Sequence, residues 1–245
     1  MIELQNIRKT FDDENFEVLK GISTSFEPGR INLVIGSSGH GKSVLMKCMV
    51  GLIKPTEGHI IYDGRDFTNL DHKQMREVRK DIGMLFQGTA LFDSLTVEEN
   101  IGFPLKMFSN MSTAERRDRV NFCLEQVNLE GINHKFPAEI SGGMKKRVGI
   151  ARAISLDIKY LFCDEPNSGL DPVTSRVIDE LIKGITEEFN ITTIINTHDM
   201  KTVFDIGDQV VFIYEGHKEW EGNVAGIRAH ENELLTRFIK ASYID

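Results

Sequence analysis

The sequence predicts an α/β fold, a parallel sheet covered by helices and interrupted by one helical insertion. Short apolar runs, 31–35 and 210–214 among them, have the length of buried strands. Strand, helix and strand follow in that order over 160–163, 173–185 and 192–196, which implies parallel strands joined by a covering helix. From about 88 to 155 the pattern is mostly helical, with charged faces. No linker, repeat or low-complexity stretch divides the chain. Residues 1–245 therefore read as one domain, with an approximate helical subdomain at 88–155 inside it.

In chain order, 2–7 and 18–26 read as strands, closed by the turn Glu27-Pro28-Gly29. The strand 31–35 runs into a glycine-rich loop, 36–41. A helix is expected from about 42 to 52, with Leu45, Met46 and Met49 at helical spacing. Pro55-Thr56-Glu57-Gly58 is a turn, and 82–86 a strand. Ser112-Thr113-Ala114-Glu115 has the form of a capping box that opens a helix through about Val127. Helices are further expected over 145–154, over the run marked by Val173, Val177, Leu181, Ile182 and Ile185, and over 234–239, where the face is amphipathic.

Composition narrows the function classes. With 40% hydrophobic and 27% charged residues, the chain can bury a sizeable core and is not disordered. A formal net charge of −8 argues against wrapping nucleic acid, whose partners are usually basic. No run approaches the roughly 18 apolar residues that span a bilayer, and no basic segment followed by an apolar run marks a secretory signal. Cys48, Cys123 and Cys163 are odd in number and widely spaced, which fits neither disulfides nor zinc but suits a reducing cytosol.

Gly36-Ser37-Ser38-Gly39-His40-Gly41-Lys42-Ser43 fits the phosphate-binding loop G-x-x-x-x-G-K-[ST]. Its glycines let backbone N–H groups turn inward around phosphates, Lys42 reaches the β- and γ-phosphates, and the Ser43 hydroxyl ligates Mg²⁺. The helix that follows points its positive end at the same anion. The loop lies between an expected strand and an expected helix, as the motif requires. Tyr160-Leu161-Phe162-Cys163-Asp164-Glu165 is an apolar strand ending in two carboxylates. Beside a phosphate loop, Asp164 is placed to hold Mg²⁺ through water and Glu165 to orient and partly deprotonate the attacking water.

Ile140-Ser141-Gly142-Gly143-Met144 stands ahead of a helix, and here the chain resembles the ABC family of ATPases, whose signature is close to Leu-Ser-Gly-Gly-Gln. Further elements match in order. Gln87, after the strand 82–86, matches the glutamine loop that senses nucleotide and Mg²⁺ and touches the membrane subunit. Ser168-Gly169-Leu170-Asp171 matches the loop that runs between subunits, and His198 the switch histidine at the γ-phosphate. Phe11 matches the aromatic that stacks on adenine, with Phe16 as the competing candidate. The resemblance covers essentially the whole chain. It implies a P-loop NTPase (RecA-like) core with an N-terminal antiparallel β-subdomain and an inserted helical subdomain. ATP would be held by Phe11, Gly36, Ser37, Ser38, Gly39, His40, Gly41, Lys42, Ser43 and Val44, and in trans by Ser141, Gly142, Gly143 and Asp171. The metal would rest on Ser43, Gln87 and Asp164; Glu165, His198 and Gln87 would serve catalysis. Because the signature of one subunit caps the ATP of the other, the resemblance implies a homodimer with permease subunits, peripheral on the cytoplasmic face of the inner membrane.

A finer resemblance lies in 84–95 and in Asn100-Ile101-Gly102-Phe103-Pro104-Leu105, which look like the ATPase of Mla or MCE-type lipid transporters. Met144, Lys42-Ser43-Val44-Leu45 and Asp171-Pro172-Val173-Thr174-Ser175 fit that subgroup too. It implies phospholipid movement between two membranes with an MCE-domain partner. The alternatives are that these residues merely shape a groove for another membrane subunit, that the chain drives a polar-solute importer, or that it is a non-transport ABC ATPase. Val44 departs from the second hydroxyl residue of many relatives, and Asn167 from a frequent threonine.

Overall fold

A computed structural model describes residues 1–11, 16–229 and 231–242. The elements are β1 (Ile2–Phe11), β2 (Phe16–Phe26), β3 (Ile31–Ile35), α1 (Lys42–Met49), β4 (Glu57–Tyr62), β5 (Arg65–Asp66) and α2 (His72–Lys80). Then come β6 (Ile82–Leu85), α3 (Val97–Phe108), α4 (Thr113–Gln126), a 3₁₀ turn (Pro137–Glu139), α5 (Gly142–Ala153), β7 (Tyr160–Asp164) and α6 (Pro172–Glu188). The last stretch holds β8 (Thr192–Thr197), α7 (Met200–Ile206), β9 (Gln209–Tyr214), β10 (His217–Asn223), α8 (Val224–Ile227) and α9 (Glu233–Ser242). They divide into two compact units, 1–77 with 192–245, and 78–191.

The first unit contains two kinds of sheet. One is antiparallel, in the order β2-β1-β4-β5. In the other, β3 lies parallel to both β8 and β9, and β10 pairs antiparallel with β9. β3 is buried along its whole length, as a strand covered on both faces should be, so it reads as an unbroken apolar run. β1 extends four residues beyond the expected 2–7. Its register with β2 shifts at Leu4/Ile7, where Asn6 takes φ 51°; this bulge hides the strand from an alternation pattern. Helix α1 stops at Met49, short of residue 52, because Gly51 turns left-handed (φ 70°) and its N–H bonds back to the Cys48 carbonyl.

In the second unit β6 and β7 pair in parallel, and α3, α4 and α5 lie within the stretch 88–155. The unit runs wider than that stretch because it also takes in the β6/β7 pair and α6. Capping boxes open both α3, from Thr96 and Glu99, and α4, from Ser112 and Glu115. α6 forms as expected; of the residues that mark it, Ile182 and Ile185 are buried, joined by Ile178, whereas Val173 is 76% exposed. Cys48, Cys123 and Cys163 are all buried free thiols, and burial pushes Cys48 and Cys123 up to about 11. Among the described residues no helix is long and apolar enough to cross a membrane.

Candidate functional site

In the first unit the glycine loop leaves β3 beside β9. A side-chain carbon on Gly36 (φ 147°) would lie 2.2 Å from the Ile213 carbonyl oxygen, so only glycine fits that approach. Lys42 is buried, and its ammonium donates to the carbonyls of Gly36 (2.7 Å) and Ser37 (3.2 Å), curling over the loop. Gly41, at φ 100°, is the N-cap of α1, and no acidic residue occupies that helix's first turn. Ser37, Ser38 and Gly39 are exposed; Ser43 and Val44 are half-buried. The loop thus brings glycine-rich backbone to a helix start with a cation folded beside it, which fits a phosphate chain.

His40, a position that the motif leaves open, packs edge-on against Tyr214 at 4.7 Å between ring centres. Its Nδ1 is buried without a hydrogen-bond partner among the described residues. Tyr214 continues an aromatic row through Phe212 to Phe238 on α9. β3 and β8 run level, Ile35 opposite Thr197, so the glycine loop and His198 leave neighbouring strand ends; His198 is exposed. Phe11 and Phe16 face one another across the β1–β2 hairpin, 39% and 58% exposed. The Lys9 ammonium lies over the Phe11 ring, 5.0 Å from its centre.

The second unit gathers the remaining residues. β6 and β7 also run level, Leu85 opposite Cys163, so Gln87 and Glu165 sit just beyond adjacent strand ends. Asp164 closes β7 and is buried; Glu165 is half-buried and held in the left-handed region at φ 49°. The Gln87 amide reaches the Ser168 hydroxyl at 3.5 Å. Ser141 is the N-cap of α5, accepting from the Met144 N–H at 3.3 Å. Gly142 and Gly143 are therefore the first turn of α5 rather than a loop ahead of a helix at 145, because the Ser141 side chain supplies the cap. A methyl on Gly143 would meet Thr174 Cγ2 at 2.6 Å, which seats the Ser-Gly-Gly turn against the start of α6.

Asp171 caps α6, accepting from the N–H groups of Val173 and Thr174 (3.0 Å each) and from the Thr174 hydroxyl. Those bonds, the Thr174 hydroxyl first, hold its carboxyl below the usual aspartate range. Sequence reasoning missed two cations on α5. Arg152 donates to the carbonyls of Thr89 and Ala90 (2.6 Å each), gripping a turn in which both residues have positive φ. Lys146 donates to the carbonyls of Gln87 (2.6 Å) and Glu165 (3.3 Å). No local signal marks either residue, since their partners lie far away in sequence.

The ABC transporter family profile matches residues 19–168. The chain belongs to the ABC transporter family. It is an ATPase whose hydrolysis of ATP to ADP and phosphate is coupled to transport, and its fold is the mixed α/β fold of ABC cassettes, an antiparallel β-subdomain with a parallel-sheet core. It is 41% identical to the methionine import ATP-binding protein MetN of Photobacterium profundum over 245 residues, 99% of this chain and 71% of that one. MetN of Corynebacterium diphtheriae is 38% identical, over 98% of this chain and 72% of that one. Among solved structures, the dimeric structure of MJ0796, a bacterial ABC transporter cassette, has a TM-score of 0.84 at 33% identity, covering 91% of this chain and 99% of that one. A post-hydrolysis state of the same cassette bound to ADP and Pi scores 0.84 at 32% identity, with the same coverage.

Proposed function

We propose that this ABC ATPase powers a permease that imports a polar solute, working as a homodimer on the cytoplasmic face of the inner membrane. The supporting observation is the likeness to methionine import ATPases along 99% of the chain. It favours the importer over the phospholipid reading drawn from 84–105. The fold also accounts for several residues of that segment without a lipid. Asn100, fully buried, accepts from the Phe92 N–H (2.8 Å) and donates to the carbonyls of Phe92, Leu95 and Thr96. Phe92 and Phe103 pack ring to ring. The same residues line an apolar groove of about 400 Å³ with Met84, Phe86, Pro104 and Phe108, a seat for a permease segment whatever its cargo.

Within this reading Lys42 and the backbone of 36–43 bind the ATP phosphates and Phe11 stacks on adenine. Ser43, Gln87 and Asp164 each offer an oxygen donor of the kind Mg²⁺ takes. That ion would neutralise charge on the phosphates. Glu165 orients and deprotonates the attacking water, His198 contacts the γ-phosphate, and Ser141, Gly142, Gly143 and Asp171 of one subunit complete the nucleotide site of the other. The helical stretch 88–155 acts as the subdomain that meets the permease. To test the cargo, the tagged chain is purified gently from its native membranes and its companions identified. A permease with a solute-binding protein is expected. A permease with an MCE-domain protein would restore the lipid reading, and ribosomes or DNA without any membrane protein would end the transporter reading.

A further inference from the structure

Lys146 is 5% exposed, an unusual place for an ammonium, and it sits on the second turn of the helix that Ser141 caps. It spans two chain segments remote from one another in sequence, bonding the carbonyl of Gln87 at 2.6 Å and that of Glu165 at 3.3 Å. Glu165 needs such a restraint. Its backbone is left-handed at φ 49°, a conformation that costs a β-carbon-bearing residue energy unless its surroundings hold it. The same Glu165 carbonyl also accepts the N–H of Ser168 at 3.2 Å, so two donors fix one peptide group. Burial pushes the Lys146 ammonium down, while the nearby acidic groups of Cys163, Glu165 and Asp164 push it up. A side chain chosen only for packing would not carry that charge inward.

We propose that Lys146 is a positioning residue for hydrolysis, tying the glutamine loop to the peptide that aims the Glu165 carboxylate. This rests on the roles assigned above to Glu165 and Gln87. The donor atoms matter more than the charge, because both partners are neutral carbonyls. Lys146→Met and Lys146→Gln are both one bond shorter than lysine, but Met removes the donors whereas Gln keeps an amide donor. Positioning of the water-activating group acts on the chemical step, whereas ATP is gripped by the loop at 36–43. The loss should therefore fall on kcat rather than KM.

The test measures steady-state ATPase in Lys146→Met, Lys146→Gln and Glu165→Gln, with Tm for each and amide hydrogen exchange at Ser168. Lys146→Met is expected to lower kcat by about tenfold or more, with KM for ATP within about threefold, and to speed exchange at Ser168. Lys146→Gln should recover most of kcat. If Met at this depth prevents folding, Lys146→Ala is read in its place on the same kcat, KM and exchange measurements. A kcat within about twofold of wild type in the folded donor-free variant, beside an inactive Glu165→Gln, overturns the proposal. A loss appearing wholly in KM, or the same loss in the Gln variant, overturns it too. Normal turnover in Glu165→Gln would instead discard the assignment on which it stands.

Discussion

Phe11 and Phe16 oppose each other where β1 ends and β2 begins, so position alone does not choose between them as the adenine platform. The Lys9 ammonium lies over the Phe11 ring, and the proposed reading, which takes Phe11 as the platform, is tested by removing each ring in turn. Stacking of a base on an aromatic ring contributes about 1–3 kcal/mol, so Phe11→Ala should weaken ATP binding by about tenfold or more. Phe16→Ala should change it by less than about threefold. Displacement of a fluorescent nucleotide reads both, and the opposite order would transfer the platform to Phe16. At this scale the sequence was most informative where chemistry is local. The glycine loop is contiguous, and Gly36, Lys42 and Ser43 could be named from spacing alone. Tyr214 against His40, and Lys146 against Gln87 and Glu165, depend on contacts between distant segments, which no single-sequence period encodes.

Element boundaries moved wherever a side chain or a backbone strain overrode the hydrophobic period. Ser-Gly-Gly reads as a loop, yet Ser141 caps and the glycines become helix; Val173 and Val177 fit the helical spacing of α6, yet stand on its outer side. The capping box was legible at Ser112 because the partner glutamate lies three residues on, and the structure adds a box of the same spacing at Thr96 and Glu99. The buried Asn100 is a stronger device. Replacing it with alanine strands the Phe92 N–H and takes the side-chain donor from the Leu95 carbonyl, so Asn100→Ala should cost about 2–3 kcal/mol, measured by urea unfolding. A loss under about 0.5 kcal/mol would mean that the 92–96 loop holds without it. Asp171 gives α6 a pH signature. Its folded pKa is depressed by bonds to Thr174 and Val173, so its stabilising effect is present above the ordinary aspartate value and is lost as pH falls through the lower folded value. The difference in urea midpoint between wild type and Asp171→Ala should hold steady from neutral pH to that ordinary value, then close below it. Asp171→Asn, an uncharged acceptor, should show no such step. A difference that stays constant through the acid range would remove the carboxylate from the cap.

For the whole molecule, the decisive quantity is how ATP links association to turnover. One chain carries one phosphate loop and one Ser141-Gly142-Gly143 turn, and both Ser141 and Gly142 are exposed at the start of α5. A helix N-terminus of that kind attracts anions, and the Ser141 hydroxyl, which accepts the Met144 N–H, still has its O–H to donate, so what the turn offers outward is that hydroxyl, backbone donors and the helix's positive end. If a second copy supplies the phosphates, ATP must favour the dimer, and hydrolysis must release it by removing the γ-phosphate from those donors. Glu165→Gln separates the two halves of that cycle, because the amide keeps the size of the side chain but cannot accept the water's proton. Sedimentation with ATP and Mg²⁺ should give a dimer for Glu165→Gln, whereas wild type returns to monomer as ATP is consumed. Adding Ser141→Arg to Glu165→Gln puts a bulky cation at the exposed cap, far in sequence from the loop at 36–43. That double variant should still bind the fluorescent nucleotide but remain monomeric. A monomeric Glu165→Gln at saturating ATP would break the link between nucleotide and association, and a dimer unaffected by Ser141→Arg would move the contact away from the start of α5.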